Sequence, residues 1–265
     1  MKIATYNINS IKAHGINFFS WLKTNSPDIV LLQEIKCETE NFLYLECESL
    51  GYKVAVLGQK SYNGVAILSK YDFTITAKNL PTFVDDDASR YLEILVTYEK
   101  TNFYIASIYA PNGCSPDKNI EAEKLKYKLK WFDALYERID YINKQGLPVI
   151  IGGDFNVMMQ DIDAYDIEKF ITSPLFKKNV RNKIYALNHL GLYDSFRLLD
   201  KKSEGFTFWD YTANSFVTNS GLRIDYLFIS AYFAELLEKC FVDKELRQMD
   251  KPSDHTTLVA EFRGF

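Results

Sequence analysis

Eight polar side chains stand where runs of apolar residues end: Asn7, Glu34, Tyr109, Asp154, Asn156, Asp225, Asp254 and His255. Carboxylates and amides suit a hard divalent cation such as Mg²⁺. The set has no serine or cysteine nucleophile beside a base and no Cys/His zinc spacing. This inventory fits metal-assisted attack of water on a phosphate ester. Because Mg²⁺ takes only one or two carboxylates from a protein, Glu34 alone, or Glu34 with Asp254, would suffice. His255 is the histidine that adjoins a carboxylate at the mouth of a strand, whereas His14 and His189 read as ordinary helix residues. Structural polar residues usually satisfy near neighbours. A set scattered over nearly the whole chain asks instead for a fold that gathers strand ends.

The stretch Pro148 to Asn156 shows how such a residue is positioned. Val149, Ile150 and Ile151 read as a strand covered on both faces, and Gly152 and Gly153 let the backbone turn or approach closely. If the chain stays extended, Asp154 and Asn156, two apart, aim at the same point. On this stretch alone an Asp-rich turn is the competing reading. The pattern recurs, however. Lys2 to Ile8 ends in Asn7-Ile8-Asn9, Ile29 to Leu32 ends in Gln33-Glu34, and Phe103 to Ala110 brings Tyr109 to a loop. Asp225, in the run Arg223 to Ile229, should be partly buried and therefore needs a partner that favours its charge.

Helices are expected from Ser10 to Thr24, Glu40 to Leu50, Asp117 to Lys144 and Lys183 to Leu190, with further strands at 53–57, 64–68, 73–77, 91–98 and 256–262. Short links predict antiparallel neighbours, with a hairpin turn at Glu99 to Asn102. Asp85 to Asp87 reads as a solvated turn, and Arg90 just after it could reach a phosphate. The stretch from Asp161 to Lys183 has no regular pattern.

The chain has 265 residues, 47% of them hydrophobic, which is enough for one large core, and no linker or repeat divides it; a single domain over 1–265 is expected. No signal-peptide pattern and no run near the ~18 apolar residues of a membrane span is seen, so the expected location is the cytoplasm. The four cysteines lack a metal or disulfide spacing. With 31 basic against 35 acidic residues the net charge is −4, which argues against a non-specific nucleic-acid coat protein. Two local basic stretches remain, Lys118 to Lys130 and Lys177 to Lys183, each otherwise readable as a solvated helix face.

The blocks Tyr6-Asn7-Ile8-Asn9, Leu32-Gln33-Glu34-Ile35-Lys36, Asn63 to Leu68, Tyr109-Ala110-Pro111-Asn112-Gly113, Gly153-Asp154-Phe155-Asn156, Gly191 to Arg197, Thr207-Phe208-Trp209-Asp210-Tyr211, Gly221-Leu222-Arg223-Ile224-Asp225-Tyr226 and Ser253-Asp254-His255 together resemble the exonuclease III family of abasic-site endonucleases. They cover essentially the full length in order. The resemblance implies an α+β, four-layer α/β/β/α sandwich, two mixed sheets packed face to face with helices outside, like DNase I. It implies a Mg²⁺-dependent DNA-repair phosphodiesterase, Mn²⁺ being a possible substitute. Such an enzyme cuts double-stranded DNA 5′ to abasic sites and removes nucleotides or blocking groups from 3′ ends; no membrane partner is expected, and a monomer is the default expectation.

By position, the resemblance gives Glu34 as main metal ligand with Asn7 and Asp254 near it, and Asp154 as the group acting on water with Asn156 beside it. It makes His255, oriented by Asp225, a phosphate binder, and Tyr109 a phosphate contact or leaving-group donor. Either Asp154 or the Asp225–His255 pair could be the general base. Phe208, Leu222 and Ile224 fall where the family binds an extruded sugar, and Arg90 is a further candidate for phosphate. Two departures stand out: Asn9, where several relatives carry an acid, and Ser173 to Lys183, which lacks a pattern many relatives show. Other readings are a phosphoinositide or sphingolipid phosphoesterase and a non-catalytic nucleic-acid-binding module.

Overall fold

The computed structural model describes residues 1–84, 86–99, 101–212 and 214–264. Twelve strands form two mixed sheets of six. The first is built from β1 (Lys2–Asn7), β2 (Ile29–Gln33), β3 (Lys53–Leu57), β4 (Val65–Ser69), β11 (Leu237–Asp243) and β12 (Thr257–Phe262), in the order β11-β12-β1-β2-β4-β3. The second holds β5 (Asp72–Lys78), β6 (Tyr91–Tyr98), β7 (Thr101–Tyr109), β8 (Val149–Asp154), β9 (Leu192–Asp194) and β10 (Asp225–Ser230), in the order β5-β6-β7-β8-β10-β9.

Alternation along each strand separates the layers. Ile3, Leu31, Ile67 and Leu258 of the first sheet meet Ile94, Ile105, Ile150 and Leu227 of the second in one buried core. The outward side chains Tyr6, Val30 and Leu32 pack under α1 (Ile11–Asn25) through Phe18 and Trp21. α2 (Tyr44–Ser49) adds Cys47 to that layer. Across the molecule, α3 (Lys118–Lys144) and α4 (Lys178–His189) lay Trp131, Leu135 and Ile184 over Ile151 and Phe228. These are the four layers the resemblance implies.

Strand direction decides where the site lies. β1 runs parallel to β2, and β7 parallel to β8, and the hydrogen bond from Asn7 at the end of β1 to Asp154 at the end of β8 puts all four carboxyl ends on one side. β12 and β10 are antiparallel to β1 and β8 and present their amino ends there. Hence Asn7, Glu34, Tyr109, Asp154, Asp225 and the residues just before β12 share one end of the sandwich. Gly152 and Gly153 are required at that end: a Cβ on Gly152 would lie 2.7 Å from Leu31 of the opposite sheet, and one on Gly153 would lie 1.9 Å from the Ile108 carbonyl oxygen.

Several expected elements differ. The helix expected over Glu40 to Leu50 is a 3-10 turn, Thr39–Asn41, followed by α2, because Phe42 takes an extended conformation and turns its ring inward. α4 begins at Lys178, earlier than expected. β9 and β11 were not expected; both are edge strands, and in β11 only Cys240 is buried, so the alternation that marks a strand is weak there. The turns expected at 85–87 and 99–102 include Asp85 and Lys100, which lie outside the described residues.

Candidate active site

Asp154 and Asp225 are register partners on β8 and β10, both almost fully buried. His255, just before β12, donates from Nδ1 to Asp225 Oδ2 at 2.8 Å, and its Nε2 lies 3.8 Å from Asp154 Oδ2. Thr207 Oγ1 also donates to Asp225 Oδ2, at 2.5 Å, and the edge of the Phe208 ring meets the imidazole at 5.0 Å between centroids. From the other sheet, Asn7 Nδ2 donates to Asp154 Oδ2 at 3.0 Å and to Glu34 Oε1 at 2.9 Å. One connected line therefore runs Glu34, Asn7, Asp154, His255, Asp225, across both sheets.

The charges along this line follow from burial and proximity. Burial favours a neutral imidazole, but Asp225, Asp154 and Asp254 outweigh it and lift His255 to about 10. Burial, with repulsion from Asp225 and Glu34, raises Asp154 to about 7 against the attraction of His255. Burial also works against the charge of Glu34, yet the Asn7 amide and the Lys36 ammonium, 2.9 Å from Oε2, hold its carboxyl below the ordinary value. Tyr109 is kept a phenol by burial and by the Glu34 and Asp154 carboxylates. At neutral pH the site thus pairs an imidazolium with a carboxylate poised to accept a proton.

Some expected placements change. Asn156 does not extend Asp154: its φ is +51°, its backbone N–H donates to Asp154 Oδ1 at 2.9 Å, and its side-chain amide donates to the Ala110 carbonyl at 2.9 Å. It still lines the cleft. Asn7 offers its nitrogen to the two carboxylates while its oxygen accepts from Asn9 N–H at 3.1 Å; the reverse orientation would set an oxygen against both acids. In this arrangement the Asn7 amide nitrogen bridges the Glu34 and Asp154 carboxylates. Arg90 is not among the cleft-lining residues: its guanidinium stacks on Tyr109, 4.8 Å from the ring centre, and Nη1 donates to the Tyr109 carbonyl. Asp254 lines the cleft and accepts from Asn9 Nδ2 at 2.9 Å.

Sequence reasoning gave Lys36 no role and noted Asn9 only as a departure from the relatives' acid. Lys36 pairs with Glu34 and donates to Asn9 Oδ1, so one ammonium links Glu34, through Asn9, to Asp254. A signal existed: Lys36 stands two after Glu34, the same spacing as Asp154 and Asn156. Glu34, Lys36, Asn9 and Asn156 all have positive φ, between +47° and +51°, which is uncommon for residues with a side chain and clusters at functional sites.

The acids fit a hard cation. The carboxylates of Glu34, Asp154 and Asp254 line one cleft, and Asp225 Oδ1 is buried with no hydrogen-bond partner among the described residues. Ligand atoms of Asp154, Asp225 and His255 also lie within 4.8 Å of one another, and the Glu34 carboxylate faces the same cleft, so either group could hold a cation. The cleft encloses about 630 Å³, and Phe170, Leu175, Phe208, Leu222 and Ile224 form its apolar wall.

A model of the endonuclease/exonuclease/phosphatase family matches residues 4–255. The chain belongs to that family. Exodeoxyribonuclease III of Haemophilus influenzae is 31% identical over 272 residues, covering 99% of this chain and 100% of the relative. A Neisseria 3′ phosphatase, NExo, solved with a product DNA hairpin, superposes with a TM-score of 0.91 at 33% identity over 100% of both chains. An AP endonuclease from Archaeoglobus fulgidus superposes at 0.90 with 30% identity, again over 100% of both. Within the endonuclease/exonuclease/phosphatase family, the chain falls in the exonuclease III and AP endonuclease group.

Proposed function

We propose that this DNA-repair nuclease of the exonuclease III group is a Mg²⁺-dependent phosphodiesterase that cuts double-stranded DNA 5′ to abasic sites and clears nucleotides or blocking groups from 3′ ends. The observation that carries the reading is Asp154, a buried carboxylate near 7 held between the His255 imidazolium and the Glu34–Asn7 pair, at the foot of an apolar-walled cleft. Glu34 and Asp254, both lining the cleft, would hold a divalent cation, which would supply charge neutralisation at the phosphate.

The residues divide the work. Asp154 takes the proton of the attacking water, its pKa near the working pH. His255, kept charged and oriented by Asp225, binds a non-bridging phosphate oxygen and stabilises the charge that builds there. Tyr109, a phenol at neutral pH, gives its proton to the leaving oxygen. Asn156, fixed by Ala110, holds the Asp154 carboxylate through its backbone N–H. Phe208, Leu222 and Ile224 accept the sugar face of an extruded abasic nucleotide, which has no base edge to satisfy. On this reading the protein works as a one-domain monomer in the cytoplasm.

The test uses two duplexes, one with a single abasic site and one with a nick bearing a 3′ phosphate, each with Mg²⁺, with Mn²⁺ and with chelator. Incision of the first and phosphate release from the second, both only with metal, are expected. Failure to cut either with metal present would overturn the reading.

A further inference from the structure

Lys128 lies on α3, one of the outer helices, yet its side chain is fully buried. A buried ammonium ordinarily sits against a carboxylate. This one makes no ion pair among the described residues; it donates to three main-chain carbonyls, those of Asn112 at 3.0 Å, Asn156 at 2.7 Å and Pro174 at 3.2 Å. The three acceptors belong to three different loops: the one following Tyr109, the one following Asp154, and the irregular stretch before α4. Each loop lines the catalytic cleft, through Asn112, Asn156 and Leu175 respectively.

The surroundings are shaped to this side chain. A Cβ on Gly113 would come within 3.1 Å of both Lys128 Cδ and Pro174 Cβ, so the loop closes directly on the aliphatic stem. Only the charged amine has three protons to give, one for each carbonyl. Burial pulls its pKa down to about 7, while Cys114 and Asp154 favour the charge. The Asn112 carbonyl also accepts weakly from the Cys114 thiol, 3.8 Å away, whereas Lys128 is the one side-chain donor to the Pro174 carbonyl among the described residues.

We infer that Lys128 is a positioning residue for the nuclease reaction, an internal cation that clasps the three cleft-lining loops and so fixes where Asn156 and the apolar wall at Leu175 stand. The inference rests on the proposed reading of the cleft. Lys128 touches neither substrate nor metal; it acts through Asn156, whose N–H holds Asp154. Glu34 and Asp254 lie outside the clasped loops, so metal affinity is expected to change little.

Lys128→Met keeps the stem and removes the donors; Lys128→Gln, a shorter side chain with two amide protons, serves if the first variant does not fold. Three readouts are compared with the wild type well below its melting temperature. Amide hydrogen exchange should quicken at least about tenfold at 112–114, 155–157 and 174–177, and remain unchanged in β6 and α1. Mn²⁺ affinity should stay within about twofold. kcat on abasic duplex should fall on the order of 10², the scale of a displacement near 1 Å, with KM moving less. Exchange that is unchanged in the three loops, or faster everywhere alike, overturns the clasp, as does an unaltered kcat. If the wild type itself cuts no DNA, the functional reading falls, while the exchange comparison still decides whether the loops are clasped.

Discussion

His255 is charged because of what surrounds it, and removing that cause should show. Asp225→Asn keeps the shape and deletes the negative charge 2.8 Å from Nδ1, so the imidazole pKa should drop from about 10 toward its ordinary 6.5. The folded-state pKa lies above the unfolded one; the stability this pair contributes is therefore full below about 6.5 and is lost as pH rises through about 10. NMR titration of the imidazole in metal-free protein reads this directly. In the pH–rate profile the alkaline limb should move to lower pH. Asp225 helps raise Asp154 while the His255 charge lowers it, and the variant weakens both, so the alkaline limb is the one that reads the pair. If neither limb shifts in a folded, metal-saturated variant, the pair is architectural. Glu34→Ala is expected to raise the Mg²⁺ concentration needed for half-maximal rate far more than it lowers the melting temperature; the opposite outcome would make Glu34 structural. The residue types and their places at strand ends were legible in the chain, because β-branched runs stop abruptly at polar groups. The orientation of Asn156 and the part played by Lys36 were not, since both depend on positive φ at residues with a side chain, where neither alternation nor propensity gives a signal.

At the level of elements, the approach of β8 to its neighbours sets how close the catalytic groups come. Gly153→Ala places a methyl 1.9 Å from the Ile108 carbonyl oxygen and should cost at least about 1–3 kcal/mol, read as a lower denaturant midpoint at unchanged slope. The basic residues around the start of α4 lie just beyond Leu175 of the cleft wall, and Arg181 stacks 4.0 Å over Phe176. Replacing Lys177, Lys178 and Arg181 with Ala should weaken DNA binding about equally for all sequences and flatten its salt dependence by up to about 0.9 per lost phosphate contact. Unchanged affinity and slope would place that face away from DNA. Central strands and the long helix α3 were readable from their periodicity. The edge strands β9 and β11 were not, because an edge buries too few side chains to leave a pattern, and the split of the Glu40 to Leu50 helix turns on one inward-facing ring, Phe42.

For the molecule as a whole, the adjacency of β1 and β12 has a consequence in time. Ser253 Oγ donates to the Asn7 carbonyl across 246 positions of sequence, and β1 lies between β2 and β12. At about 5–20 residues per second, the first strand waits on the order of tens of seconds on the ribosome before its partner is made. Through that interval the first sheet lacks β12 and one flank of β1 is open, while His255 and Asp254 do not yet exist. A ribosome-bound chain stalled near residue 250 should leave β1 sensitive to protease and bind no abasic DNA, and release of the longer chain should restore both. Such a nascent chain holds no complete cutting centre until the residues leading into β12 have been made.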